Sequence, residues 1–76
     1  MLLKYYREEK NMTQKALATY LGISERQYQR IESGDSFPSK SVSFQLEDLF
    51  GVPQRILLAK SAEDIPDYLK QYTELL

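Results

Sequence analysis

Residues 13–34 read Thr13-Gln14-Lys15-Ala16-Leu17-Ala18-Thr19-Tyr20-Leu21-Gly22-Ile23-Ser24-Glu25-Arg26-Gln27-Tyr28-Gln29-Arg30-Ile31-Glu32-Ser33-Gly34, and this stretch decides the fold. It spells two short helices joined by a tight turn at Gly22. Thr13 is a helix N-cap residue, and Met12 before it stands at hydrophobic-staple spacing from Leu17. Leu17, Ala18 and Leu21 form the inner stripe of the first helix, and Ala18 is small enough to let another helix cross closely. After Gly22 the start signal repeats at once. Ser24 is the cap, Gln27 completes a capping-box pattern, and Ile23 and Tyr28 repeat the staple spacing. In the second helix Tyr28 and Ile31 point inward, while Arg26, Gln29 and Arg30 point outward, with Glu25 at the edge of that face.

The flanking sequence adds helices on both sides. Residues 2–10 read as a helix in which Leu3 and Tyr6 share a face with Leu2, and Asn11 suits the left-handed conformation that ends it. Gly34 closes the helix begun at Ser24, and residues 35–38 make a loop that Pro38 helps to stop. Ser39 or Ser41 caps a fourth helix with a Val42, Leu46, Leu49, Phe50 stripe. Gly51-Val52-Pro53 ends it and starts a short fifth helix carrying Ile56 and Leu57. The chain's 3 glycines all fall just past these helix ends. Residues 60–64 are a polar connector. Ile65, Tyr68, Leu69, Tyr72, Leu75 and Leu76 then form an apolar stripe, with Pro66 in a first helical turn. No strand pattern competes. The expected architecture is all-α, with a five-helix domain over residues 1–58 and a connector and C-terminal amphipathic helix over residues 59–76. That tail either dimerises or folds back on the domain, where it would cover Tyr5, Ala16 and Tyr20.

Composition narrows the chemistry. A chain of 76 residues supports one domain with a modest core, burying roughly 60% of its unfolded surface. It holds no cysteine and no histidine, which removes disulfides, thiol nucleophiles, the commonest general base and the commonest transition-metal ligand. The adjacent carboxylates Glu8-Glu9 and Glu47-Asp48 splay apart on a helix rather than converge, so an enzyme is not expected. No metal, cofactor or small-molecule ligand is expected either. Apolar runs are too short for a signal peptide or a membrane span, which points to a cytoplasmic protein.

Charge is unevenly spread along the chain. Lys4, Arg7, Lys10, Lys15, Arg26, Arg30 and Lys40 outweigh the acids of residues 1–40, whereas residues 41–76 are acidic, and the net charge is −1. A weakly basic first half fits a protein that shows one face to phosphate, with weak non-specific binding and a small salt slope. A cap-turn-cap helix pair is the usual means of placing side chains in a DNA major groove. Arginine suits guanine O6 and N7, and glutamine suits adenine N6 and N7. The pair therefore points to double-stranded DNA as a partner.

The chain resembles the Cro/phage-repressor (XRE) type of helix-turn-helix domain over about residues 2–58. The resemblance is carried by Leu3, Tyr6-Arg7, Thr13-Gln14, Leu17-Ala18, Leu21-Gly22-Ile23-Ser24, Ile31-Glu32, Gly34, Pro38-Ser39 and Phe50-Gly51-Val52. It implies a sequence-specific, double-stranded-DNA-binding regulator, a repressor acting as a homodimer, in which Glu25, Arg26, Gln29 and Arg30 face base edges; the alternative is a protein-interaction module of the same fold, antitoxin-like or adaptor, with little DNA binding of its own. It also implies that Gln14, Ser24, Gln27, Ser33, Ser39 and Lys40 contact the DNA backbone. Arg7 and Glu32 match a pair that forms a structural ion pair between the first and third helices. Tyr28 stands where a β-branched aliphatic is usual, and Lys40 and Ser43 replace frequent apolar residues, which predicts a less embedded start of the fourth helix. Tyr5, Ala16 and Tyr20 occupy positions that are usually polar.

Overall fold

The structure, a computed structural model, describes residues 1–73. Its α-helices are α1 (Leu3–Glu9), α2 (Gln14–Leu21), α3 (Glu25–Glu32), α4 (Lys40–Phe50) and α5 (Gln54–Leu57), followed by two 3-10 segments, Ala62–Asp64 and Asp67–Thr73. No strand occurs among the described residues, and none of their helices is long and apolar enough to cross a membrane.

Local chemistry sets the helix boundaries. The Thr13 side chain accepts from the Ala16 amide at 3.0 Å. At the other end of α2, Gly22 adopts φ +75°, a left-handed conformation that side chains disfavour. The Ile23 amide then reaches the Ala18 carbonyl at 3.0 Å and the Gly22 amide reaches Thr19 at 3.2 Å, the paired bonds of a Schellman ending. Ser24 and Gln27 form the reciprocal capping box, each side chain accepting from the other's backbone amide at 3.1 Å. Ser39 rather than Ser41 caps α4, accepting from Val42 at 3.2 Å. The short α5 has no side-chain cap on its own segment. Instead Glu47 of α4 accepts from the Gln54 amide at 2.7 Å.

The main core joins Leu3 of α1, Leu17, Ala18 and Leu21 of α2, Tyr28 and Ile31 of α3, Val42 and Leu46 of α4, and Leu57 of α5. Met12 and Ile23 pack against it from the positions just before the two N-caps. Leu49 and Phe50 are half-buried rather than buried. Ser43 is buried despite its hydroxyl, so the start of α4 is more deeply set than its sequence suggests, while Lys40 stays exposed.

The expected C-terminal amphipathic helix is present in 3-10 form. Ile65 and Leu69 do fold back, joining Leu2, Tyr6, Ile56 and Ala59 in a second apolar cluster at the α1 and α5 ends. Asp67–Thr73 winds as a 3-10 helix. Its turns close with i→i+3 bonds, as where the Leu69 amide donates to the Pro66 carbonyl at 2.9 Å. Tyr5, Ala16 and Tyr20 remain exposed, because the tail crosses α1 and α5 and not the α1/α2 surface. Leu75, Leu76 and the side chain of Tyr72 lie outside the described residues.

Candidate nucleic-acid interface

The core fixes one face of α3 and leaves the other open. Tyr28, Ile31 and Glu32 are buried, and Glu25, Arg26, Gln29 and Arg30 are all exposed along the opposite side. A helix turns about 100° per residue, so burying positions 28, 31 and 32 puts 26, 29 and 30 outward together.

Three anchors hold α3 in place. The capping box fixes its N-terminus. At its C-terminus the Asp35 and Ser36 amides bond the Arg30 carbonyl at 2.9 and 3.1 Å, with Gly34 at φ +88°. Between them, Glu32 accepts from Arg7 Nε at 2.9 Å and Arg7 Nη2 at 3.2 Å, and Arg7 Nη1 donates to the Met12 carbonyl at 2.7 Å. One guanidinium thus ties α1, the α1–α2 turn and α3. Its planar fork suits such bidentate pairing.

Burial would push the Glu32 carboxyl up, but hydrogen bonds from its neighbours, Arg7 foremost, outweigh that and hold it below the ordinary value. The Tyr28 hydroxyl lies beside the pair, within reach of both charges. It completes no hydrogen bond of good geometry, and burial drives its pKa far upward.

Gln14, the first residue of α2, extends this group toward the open face. Its Nε2 donates to Glu32 Oε1 at 3.2 Å, and its Oε1 accepts from Gln29 Nε2 at 3.2 Å. Sequence reasoning placed Gln14 and Gln29 in separate roles and gave no sign of the bond between them. Two glutamines 15 positions apart carry no local signature of contact.

The remaining backbone-facing candidates divide by what their polar atoms already do. Ser24 and Ser39 use their hydroxyl oxygens as cap acceptors. Gln27 uses its carbonyl oxygen in the same way, which leaves its NH2 for another acceptor. Ser33 directs its single hydroxyl hydrogen to the Arg30 carbonyl and to Asp35, both at 3.1 Å. Lys40 extends over the Phe44 ring at 5.8 Å. Phe37, in the α3–α4 loop, is the most exposed large apolar side chain among the described residues.

Residues 3–54 match the helix-turn-helix family. The chain belongs to that family. A similar protein is an uncharacterized HTH-type transcriptional regulator of Methanocaldococcus jannaschii, 44% identical over 50 residues, which are 66% of this chain and 76% of that protein. No solved structure matches the chain. The α2–α3 pair is thus the helix-turn-helix unit.

Proposed function

We propose that the protein is a sequence-specific DNA-binding transcriptional regulator that reads the major groove with α3, as a homodimer on a two-fold operator. The observation that carries this reading is the exposed row of Arg26, Gln29 and Arg30 on a helix fixed at both ends within a helix-turn-helix unit. Arg26 and Arg30 present guanidinium forks to guanine, and Gln29 an amide to adenine. Glu25 accepts from cytosine N4 at the rim. Ser24, Gln27, Ser39 and Lys40 lie on elements that flank the groove and supply donors to phosphate, and Ser33 joins them by turning its hydroxyl outward. The similar regulator in Methanocaldococcus jannaschii supports the same reading.

Dimerisation follows from scale. A single eight-residue helix reaches only a few base edges, and a mild net charge adds little general attraction, so two linked half-sites supply the selectivity. Their centres should lie about 10–10.5 base pairs apart, or a multiple of this, to meet one face of the duplex. Seated on a promoter, such a dimer represses by occupancy.

Selection of binding sites from random duplex DNA, with a measured solution mass, tests this. The expected result is a two-fold motif and a dimer. Arg30→Ala should cost about 1–3 kcal/mol and relax preference at one base position per half-site. No affinity for a random duplex library at moderate salt would instead favour the protein-interaction module, and equal affinity for all duplexes would overturn the sequence-specific reading. A reporter placed under the selected site reads the direction of regulation.

A further inference from the structure

We propose that Gln14 is a positioning residue for Gln29, so that selectivity for adenine at one base position is set from α2 through Glu32. This rests on the DNA-reading function proposed above and gives one of its contacts a definite polarity.

The argument follows the hydrogen atoms. Glu32 Oε1 lies 3.2 Å from both Arg7 Nη2 and Gln14 Nε2. An ionised carboxylate has no hydrogen to give, so Gln14 must turn its NH2 toward it. The Gln14 carbonyl oxygen then faces Gln29, 3.2 Å away, and only the Gln29 NH2 can answer it. Amide orientation, usually ambiguous at a protein surface, is thereby dictated from a buried charge outward. A reversed Gln29 would set two carbonyl oxygens against each other. With one N–H committed to Gln14, the exposed Gln29 keeps one N–H and its oxygen. That donor–acceptor edge matches adenine N7 and N6. Guanine offers N7 and O6, both acceptors, and opposes the fixed oxygen. Arg26 and Arg30 carry only donors and need no such device.

Site selection with the wild type, Gln14→Ala, Gln29→Ala and the double variant tests the coupling. Gln14→Ala should lower the adenine-over-guanine ratio about fivefold or more at one position per half-site and leave the others unchanged. In the Gln29→Ala background it should have no further effect at that position. A Gln14→Ala profile of unchanged shape with uniformly weaker binding would mean a phosphate contact alone, and would overturn the coupling while leaving the DNA-reading function intact. An undiminished effect of Gln14→Ala in the Gln29→Ala protein would overturn it too. A wild type that enriches no motif overturns the DNA-reading function, and the coupling with it. If Gln14→Ala does not fold, the unmutated protein carries the test. The NMR order parameter of the free protein's Gln29 side-chain NH2 should exceed about 0.6, and a lower, freely moving value overturns the proposal.

Discussion

The helix pair of residues 13–34 and the tail of residues 59–73 carry the same kind of apolar spacing and end in different structures. In the pair, each helix start has a side-chain cap and each end a glycine with left-handed φ. A buried ion pair then fixes the second helix to α1. The tail has Ile65 and Leu69 on the core side, an exposed Arg55–Tyr68 hydrogen bond at 3.1 Å and an exposed Lys70–Asp67 pair at 3.0 Å. It winds as 3-10 turns. Apolar periodicity names a face, but terminal chemistry and buried anchors decide whether an α-helix stands behind it. Isolated short helices are marginal in water, so segments of this length depend on those anchors.

Removing the strongest anchor should produce the largest loss. Glu32→Ala leaves the Arg7 guanidinium buried without its partner and should cost about 3–5 kcal/mol. That is a large part of the stability of a chain this size. Urea unfolding measures it. Because the Glu32 pKa is lower in the folded state than the ordinary glutamate value of 4.5, the stabilisation is full above about pH 4.5. It falls away as the pH drops through the folded-state value and Glu32 takes up a proton. The Glu32→Ala protein should lack this acid-side slope. An unchanged slope would place the acid sensitivity elsewhere.

The sequence made the helix pair legible because its determinants are local. Thr13, Gly22, Ser24, Gln27 and Gly34 each act on backbone groups within a few positions. The division of α3 into inward Tyr28 and Ile31 and outward Arg26, Gln29 and Arg30 follows from the helical period alone. What stayed hidden depends on contacts between distant positions. Glu47 caps α5 across the α4–α5 turn, and Gln14 meets both Glu32 and Gln29. Neither relation has a spacing rule. The tail's stripe likewise named its inner face, Ile65 and Leu69, but not its winding, which is 3-10 over Asp67–Thr73. The exposed Tyr5, Ala16 and Tyr20 keep the same unexplained apolar character in the structure that they have in the sequence.

Ile65→Ala probes the weaker region next. Ile65 is buried against Leu2, Ile56 and Ala59. Deleting its side chain from a rigid core would fall in the range of 2–5 kcal/mol. Here the tail can open by itself, so the loss should stay near or below about 2 kcal/mol, and amide exchange should speed up in residues 59–73 with little change in α2 and α3. Equal acceleration in both regions would show that the tail and the helix pair unfold as one unit and would remove the distinction between them.

Ser24→Ala should produce the smallest of these effects. It deletes the hydroxyl that receives the Gln27 amide and leaves the reciprocal Gln27 bond to the Ser24 amide without its counterpart. Loss of an exposed N-cap costs about 1 kcal/mol, read as a shift in the urea midpoint at constant slope. Asp67→Ala removes the acidic residue that begins the tail segment, and no measurable change is expected there, because the pair it makes with Lys70 is exposed and screened. The two substitutions delete comparable surface groups at two helical starts, so their difference isolates what a cap contributes. If Asp67→Ala destabilises the chain as much as Ser24→Ala does, the tail is anchored by its own first turn, and the contrast between capped and uncapped regions fails.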